Sequence, residues 1–386
     1  MRSALDLAAL GLGAVEPNPA VGCVIVTDNR AVGSGRHERF GGPHAEVNAL
    51  ADCRRNGHDP AGATMYVTLE PCCHMGKTPP CTDAIIAARI ARIFVACRDP
   101  SPHAAGRGIR QLRRAGIAVS VGLCRHRARL LNAPFFKFVE TGRPWVIVKW
   151  AQTLDGQLAF QPGSRRRWIS NAQSRADAHE LRRRVQAILV GVNTVIADNP
   201  QLTPRPSRGR RPLRVVLDSR LRTPPQSRVL RAKKFGTLIV TTQTTARKSR
   251  DKIAQLTTGG AEVLPVRAVR GRPDLLAVLD ELARRGVQQV LVEGGPTIIT
   301  SFLRRDLADA AVVYLTGDFV GEIGPAAATP TMNELVRQLM SVASFRALGD
   351  NIRLEGIRAT RKRSHLLQHV TRQRSRSLLR PSINNT

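Results

Sequence analysis

The N-terminal third of the chain contains a histidine, a glutamate and a group of cysteines at spacings that permit metal chemistry. His44 and Glu46 stand two residues apart in "GGPHAEVNAL", at the expected start of a helix. The stretch "TLEPCCHMGKTPPC" then supplies Cys72, Cys73 and Cys81. Neutral imidazole and thiolate are zinc ligands. Cys72 directly follows a predicted strand and is expected at a helix start, as is Cys81, and a helix N-terminus favours the thiolate. We therefore predict a metal site rather than a disulfide, although local chemistry leaves open which two sulfurs bind.

One histidine and two thiolates would leave a fourth zinc position for water, as in catalytic sites. Zinc lowers the pKa of that water toward about 7. In base deaminases such a hydroxide attacks an amino-bearing ring carbon, and a glutamate of His-x-Glu carries protons to the leaving ammonia. The spacing departs from the usual Cys-x-x-Cys, because Cys72 and Cys81 are nine residues apart. The alternative is three buried cysteines with a helix-capping His44.

A second stretch, "VLVEGGPTIITSFL", has the form of a phosphate-binding turn. A predicted strand ends in Glu293, two glycines follow, and Pro296 and Thr297 begin a helix whose free N–H groups could face a phosphate. An ordinary strand-to-helix turn would have the same form. Because no Gly-x-Gly-x-x-Gly occurs between a strand and a helix, we do not expect a doubly wound dinucleotide domain.

The elements around both stretches predict an α/β architecture. Before a break at residues 140–144, apolar runs predict strands and periodic segments predict helices: strands 20–26, 64–71, 92–97 and 116–122, and helices 44–57, 80–90 and 106–116. After the break, the predicted strands begin at 145 and then cover 187–192, 213–219, 237–242, 288–295 and 309–315, with helices 170–185 and 273–286. The Pro- and Arg-rich segment 198–214 is predicted to be a loop.

Composition limits the class of protein. The 386 residues suffice for two or three domains, and 42% hydrophobic content supports packed cores. The chain has no apolar run of the length of a membrane span, and its seven cysteines occur without a recognisable export signal, so we expect a cytoplasmic location without disulfides.

The net charge of +31 is partly concentrated after residue 357, where basic residues occur without acids. This predicts a solvated, disordered tail with at most non-specific nucleic-acid contacts, since aromatics are only 4%.

Several motifs resemble the deaminase half of the bifunctional riboflavin-biosynthesis deaminase/reductase family, RibD: "PNPAVGCVIV", "GGPHAEV", "GATMYVTLEPC" and "GKTPPCTDAIIAA". The resemblance implies a cytidine-deaminase-like three-layer domain. It places one zinc ion on His44, Cys72 and Cys81, makes Glu46 the catalytic proton shuttle, and leaves Cys73 unassigned. The long loop between the two cysteines is typical of the family. Substrate contacts are implied for Asn18, His37, His74, Lys77 and Thr78.

Further motifs resemble the reductase half: "VKWAQTLDG", "RWISNAQSRADAHELR", "AILVGVNTVIADNPQLTPR", "RVVLDS" and "VLVEGGPT". That half implies a dihydrofolate-reductase-like α/β domain that uses NADPH. Catalytic roles are implied for Lys149 and Glu293, and substrate contacts for Arg182, Leu202, Arg205 and Glu293. The implied cofactor contacts are Ala151, Trp168, Thr194, Asp198, Ser219, Gly295, Pro296, Thr297, Ile298, Ile299, Thr300 and Ser301.

The resemblance predicts a deaminase domain at 1–142, a reductase domain at 143–357 and a basic tail at 358–386. The implied reactions are deamination of 2,5-diamino-6-ribosylamino-4(3H)-pyrimidinone 5′-phosphate and NADPH-dependent reduction of its ribosyl group to ribityl. A homo-oligomer is compatible with the family. Two departures from the family pattern raise the alternative of a damaged reductase. Gln152 stands where a small residue is usual, and Arg165–Arg167 stand in place of a polar stretch with serine. An RNA-directed deaminase or RNA-binding protein gripping RNA through its tail is the alternative from another class.

Overall fold

A computed structural model describes residues 1–102, 104–158, 168–206, 211–231, 236–319 and 340–358. The described residues build two principal β-sheets, one of five strands and one of nine. The arginine run at 165–167 and the tail beyond Arg358 lie outside the described residues. Within the described part of the chain, no helix combines the length and the apolar character that a bilayer span requires.

The five-stranded sheet forms the centre of the N-terminal half. Its strands are β1 (Gly22–Thr27), β2 (Arg30–Arg36), β3 (Thr64–Val67), β4 (Arg92–Val95) and β5 (Ala118–Val121), in the order β2-β1-β3-β4-β5. Strands β3, β4 and β5 are parallel, whereas β1 is antiparallel to both of its neighbours. The helices are α1 (Arg2–Ala9), α2 (Ala45–Arg55), α3 (Cys81–Ala87), α4 (Arg107–Arg114), α5 (Arg125–Leu131) and α6 (Ala133–Thr141).

Helices cover both faces of this sheet. On one face, Cys23 and Ile25 of β1 join a buried cluster with Ala49 of α2. On the other face α1 approaches so closely that a Cβ on Gly22 would lie 2.0 Å from the Ala4 carbonyl oxygen. The alternation of neighbouring β1 residues between the two helix layers confirms the predicted three-layer domain.

The nine-stranded sheet forms the centre of the C-terminal half. Its strands are β6 (Trp145–Gln152), β7 (Ala187–Gly191), β8 (Leu213–Leu217), β9 (Thr237–Thr242), β10 (Ala261–Val266), β13 (Gln289–Val292), β14 (Ala310–Thr316), β15 (Met340–Leu348) and β16 (Asn351–Arg358). The order is β10-β9-β8-β7-β13-β6-β14-β16-β15. Pairing is parallel from β10 to β14 and antiparallel for the last two strands. Strand β7 is buried along its whole length, which explains its continuous apolar run.

The C-terminal helices are α7 (Ala172–Arg184), α8 (Val192–Asp198), α9 (Arg228–Arg231), α10 (Gln243–Lys248), α11 (Arg250–Thr258), α12 (Leu275–Arg284) and α13 (Pro296–Arg304). A short hairpin pairs β11 (Ala268–Val269) with β12 (Arg272–Pro273). The predicted helix at Pro296 is confirmed, with proline at its first position. The predicted strands of this half are present, whereas β10, β15 and β16 were not predicted from the sequence.

The two halves meet where α6 ends and β6 begins. Lys137 Nζ of α6 lies 2.5 Å from Asp309 Oδ2, and the same oxygen accepts a 2.8 Å hydrogen bond from the Val146 N–H of β6. Gln288 also donates a 3.0 Å hydrogen bond to the Pro17 carbonyl. These contacts tie α6, and the segment at Pro17, of the first half to the central strands of the second.

Candidate active sites

The N-terminal half brings together the histidine and two of the cysteines that the sequence singled out. His44 is the N-cap of α2, and Cys81 is the first residue of α3. His44 Nδ1 lies 3.5 Å from Cys72 Sγ and 3.3 Å from Cys81 Sγ, and the three ligand atoms all lie within 4.8 Å of one another. Tetrahedral zinc would place such atoms about 3.6–3.8 Å apart. The donor set and its spacing therefore fit zinc.

The position of Cys72 differs from the prediction. It was expected at a helix N-terminus directly after a strand, but β3 ends at Val67 and residues 71–80 form no helix. Its thiolate is favoured instead by hydrogen bonds. The Cys81 thiol and backbone N–H donate hydrogen bonds to the Cys72 sulfur, which also interacts with His44. Burial alone would raise the pKa of the Cys72 thiol, but these contacts outweigh burial and lower it to about 4. Cys73 is not part of the cluster, and burial raises the pKa of its thiol.

Glu46 lies in the first turn of α2 and is almost completely buried. Burial raises the pKa of its carboxyl to about 7, and the neighbouring Cys72 contributes in the same direction. It lines a cavity of about 350 Å³ together with His44 and Cys72. The five substrate-contact residues implied by the resemblance line the same cavity: Asn18, His37, His74, Lys77 and Thr78.

The cavity wall is organised by hydrogen bonds and ring contacts. The amide of Asn18 lies 3.1 Å from His37 Nε2, while His37 Nδ1 lies 2.9 Å from the Pro43 carbonyl oxygen. Because burial lowers the pKa of His37, the neutral ring donates through Nδ1 and can accept from Asn18. Lys77 Nζ stands 4.0 Å from the centre of the Phe40 ring.

Other cavity residues were missed by the sequence reasoning. Phe40, Glu70, Asp99, Ser101, Phe135 and Val139 all line this space. Glu70 is buried and accepts backbone hydrogen bonds from Asp99, Gly106 and Ile109, at 3.2, 3.0 and 3.2 Å. The only sequence signal for Glu70 was its place in "LEPC", two residues before Cys72.

In the C-terminal half, three of the predicted residues form a buried charged cluster. Arg182 Nε donates to both oxygens of Glu293 at 3.0 and 3.1 Å, and its Nη2 donates to Oε2 at 2.5 Å. Burial alone would raise the pKa of Glu293, but the charges of Arg182 and Lys149 and the hydrogen bonds lower it to about 2. Burial lowers the pKa of Lys149, and Glu293 partly offsets this effect. Lys149 Nζ also lies 5.5 Å from the centre of the Tyr314 ring.

His179 adjoins this cluster and was not predicted. It lies one turn before Arg182 on α7, and both side chains interact with the Thr203 carbonyl. Burial and the charges of Arg182 and Arg205 lower the pKa of His179 to about 4, so the imidazole is neutral. The predicted substrate residue Arg205 is exposed and lies near enough to His179 for its charge to act on that imidazole. Leu202 is buried in the hydrophobic core of this half.

A cavity of about 680 Å³ opens beside the cluster at the carboxyl ends of β7, β8 and β13. Seven of the predicted cofactor contacts line this cavity: Thr194, Ser219, Gly295, Pro296, Thr297, Ile298 and Ser301. The remaining five, Ala151, Trp168, Asp198, Ile299 and Thr300, do not line it, and Ile299 is fully buried in the core. Glycine, threonine and helix N-terminal N–H groups around an open cleft suit a dinucleotide phosphate. Gln152, where the sequence raised a doubt, accepts a 2.7 Å hydrogen bond from Trp150 Nε1.

Each half of the chain matches the model of a known protein family. The model described as "Cytidine and deoxycytidylate deaminase zinc-binding region" matches residues 1–97, and the model described as "RibD C-terminal domain" matches residues 144–354. The riboflavin biosynthesis protein RibD of Aquifex aeolicus is 44% identical over 324 residues, which cover 83% of this chain and 87% of that protein. RibD of Escherichia coli is 40% identical over 334 residues, covering 83% and 88%.

Solved structures show the same likeness. The diaminohydroxyphosphoribosylaminopyrimidine deaminase/5-amino-6-(5-phosphoribosylamino)uracil reductase of Thermotoga maritima is similar with a TM-score of 0.78 and 34% identity, covering 93% of this chain and 97% of that one. RibD of Acinetobacter baumannii gives a TM-score of 0.77 at 34% identity, covering 93% and 98%. The predicted pair of fold classes is therefore confirmed. The chain belongs to the RibD family of riboflavin-biosynthesis enzymes, which combine a zinc-binding deaminase domain with an NADPH-dependent reductase domain.

Proposed function

We propose that this chain converts one pyrimidine ribotide in two steps. The first is hydrolytic deamination of 2,5-diamino-6-ribosylamino-4(3H)-pyrimidinone 5′-phosphate, and the second is NADPH-dependent reduction of the ribosyl group to ribityl. The observation that carries the proposal is the presence of two distinct charged sites on one chain. One is the His44, Cys72 and Cys81 cluster beside Glu46, and the other is the Lys149, Arg182 and Glu293 cluster beside an open cleft.

In the deaminase site, His44, Cys72 and Cys81 would hold zinc, which supplies an activated water at neutral pH when bound. Glu46 lies in the same cavity and is enclosed by protein, so it can hold a proton and pass it to the leaving amino nitrogen. Asn18 and His37 present polar atoms toward the ring-binding space, and their mutual hydrogen bond fixes both orientations. Lys77 offers a charge to the substrate phosphate from the loop between the two cysteines.

In the reductase site, NADPH supplies the hydride when bound. Lys149 and Glu293 lie together at the sugar end, with Glu293 held in one orientation by the two-pronged contact from Arg182. Arg205, whose charge acts on the adjoining His179, offers a second guanidinium for the ribotide phosphate. The residues of the chain would thus orient the sugar and supply its proton, and only 8% of the Glu293 side chain is exposed to water.

The organisation proposed with this function is a deaminase domain at 1–142, a reductase domain at 143–357 and a basic tail at 358–386. The passage from α6 to β6 at Gly142 supports the first boundary. A cytoplasmic location is supported by seven cysteines that are all free. Association into a homo-oligomer stays a prediction. Nothing in these relatives favours the RNA-directed alternative, which leaves the reductase half without a role.

The decisive experiment is one incubation of the zinc-loaded protein with the diaminopyrimidine ribotide, with and without NADPH. We expect ammonia in both samples and loss of nicotinamide absorbance only where NADPH is present. Ammonia release without NADPH oxidation would support the damaged-reductase alternative. Absence of both changes would refute the proposal.

The zinc ligands are tested by three alanine variants whose metal content is measured. Cys72→Ala and Cys81→Ala are expected to lose zinc. Cys73→Ala is the matched control, because its thiol is adjacent to Cys72 but outside the cluster. Loss of zinc from Cys73→Ala with retention in Cys72→Ala would reverse the assignment.

A further inference from the structure

The cavity of about 680 Å³ in the C-terminal half has one end that carries arginines, and this end lies far from the substrate residues. Lys149 is on β6 and Glu293 follows β13, whereas Arg220 follows β8. The sheet order β8-β7-β13-β6 and a strand spacing of about 4.8 Å separate the end of β8 from β13 by about 10 Å and from β6 by about 14 Å. Arg270 and Arg272 come from the β11–β12 hairpin, whose second strand packs against β9, one strand further out. These three arginines form what we call the arginine rim.

The rim has positive charge without acidic partners. Among the described residues, no ion pair or side-chain hydrogen bond involves Arg220, Arg270 or Arg272. The neighbouring Arg305 also lines the cavity, but it is paired with Asp274 at 3.2 Å. Among the described residues that line the cavity, the acid is Asp218, which is fully buried. The rim therefore keeps its charge available to a ligand.

Two rigid turns present the rim. The side chain of Asp218 accepts hydrogen bonds from the backbone N–H groups of Arg222 at 2.9 Å and Thr223 at 2.7 Å, which fixes the turn that carries Arg220. The hairpin reverses through Arg270 and Gly271, with φ values of 51° and 71°. Two consecutive positive φ values are those of a tight type I′ turn. The three arginines thus line the cavity from two backbone turns of defined conformation.

We propose that Arg220, Arg270 and Arg272 bind the 2′-phosphate of NADPH and make the reductase select NADPH over NADH. This inference rests on the proposed NADPH-dependent reduction. Hydride transfer requires the nicotinamide to lie at the sugar, beside Lys149 and Glu293, so the adenosine end must lie toward β8 and β9. The diphosphate between them then falls near the N-terminus of α13, where Gly295 leaves open space. A phosphate on the adenosine ribose meets the rim, and guanidinium groups bind phosphate through paired N–H donors.

The test is equilibrium binding of NADPH and of NADH to the full-length, zinc-loaded protein, followed by dinucleotide fluorescence. The variants are Arg220→Ala and the double variant Arg270→Ala/Arg272→Ala. The control is Arg247→Ala/Arg250→Ala, which removes two exposed arginines of α10 and α11 that do not line the cavity. Competition by 2′,5′-ADP and by 5′-AMP measures the phosphate contribution without the nicotinamide.

We expect the rim variants to raise the Kd for NADPH at least about tenfold, the effect of losing one charge-assisted hydrogen bond, and to change the Kd for NADH less than about twofold. Competition by 2′,5′-ADP should weaken in parallel, while 5′-AMP and the control variant should behave as in the wild type. Equal weakening of NADPH and NADH, or no weakening of either, would overturn the inference. A wild-type protein that binds neither dinucleotide would instead refute the proposed reductase function itself.

Discussion

Replacing Glu293 with glutamine tests how much the buried charge cluster of the reductase half contributes to stability. The carboxylate is paired with Arg182 through two prongs and also faces Lys149. Glutamine keeps the size of the side chain but removes the negative charge that both cations interact with. We expect a large loss of stability, because removing one partner leaves buried charge without compensation.

The magnitude follows from the pKa of Glu293, which is about 2 in the folded chain against an ordinary value of 4.5. At 1.36 kcal/mol for each pKa unit, the ionised carboxylate contributes about 3 kcal/mol to the free energy of unfolding at pH 7. Since the folded pKa is the lower one, this contribution is fully present above pH 4.5 and is lost as the pH falls through 2. At pH 3.5 about 2 kcal/mol should remain.

The assay is urea unfolding followed by tryptophan fluorescence, which reports on the reductase half because the three tryptophans are Trp145, Trp150 and Trp168. The matched control is Glu262→Gln, since Glu262 is also held by two prongs of an arginine but is 55% exposed. The control should lose less than about 1 kcal/mol. If Glu293→Gln were no more destabilising than this control, or equally destabilising at pH 7 and pH 3.5, the electrostatic reasoning would be wrong.

Three further predictions concern other parts of the chain. Glu46→Gln should slow ammonia release at least about 100-fold while zinc content, measured by mass spectrometry, stays unchanged. Lys137→Met should leave the buried Asp309 without its cation and lower the unfolding free energy of the reductase half by about 1–3 kcal/mol, measured in the same urea assay. Gly22→Ala should lower the deaminase transition in calorimetry, because the new Cβ would lie 2.0 Å from the Ala4 carbonyl oxygen and α1 must move.

The deaminase site was largely predictable because its chemistry is concentrated in short segments. His44 is the N-cap residue and Glu46 lies in the first turn of the same helix, so two residues of sequence fix their relation. The error at Cys72 has a local cause: Pro79 and Pro80 keep the preceding segment out of a helix, and α3 therefore begins only at Cys81.

Other features could not be predicted because no local signal specifies them. Strand β2 reads "RAVGSGR", and its glycines, which favour turns in a sequence, are required by the close approach of α2: a Cβ on Gly35 would lie 2.4 Å from the Ala49 nitrogen. The Arg182–Glu293 contact joins residues 111 positions apart. Here the resemblance identified both residues, but their direct pairing and the neutral His179 beside them became apparent only in the fold.

The sequence left open which of Lys149 and Glu293 would transfer a proton and which would orient the sugar. The geometry of the cluster favours a different role for each residue. With its pKa at about 2 and three donor contacts from Arg182, Glu293 is a fixed anion at neutral pH, so it is suited to orient and not to exchange protons. Desolvation lowers the pKa of Lys149, which is partly buried and is not held by a comparable two-pronged contact, and these properties would suit a proton donor. We therefore propose that Arg182 acts on the reaction through Glu293: it keeps that carboxylate ionised, so that Lys149 is the residue left to supply a proton at the sugar.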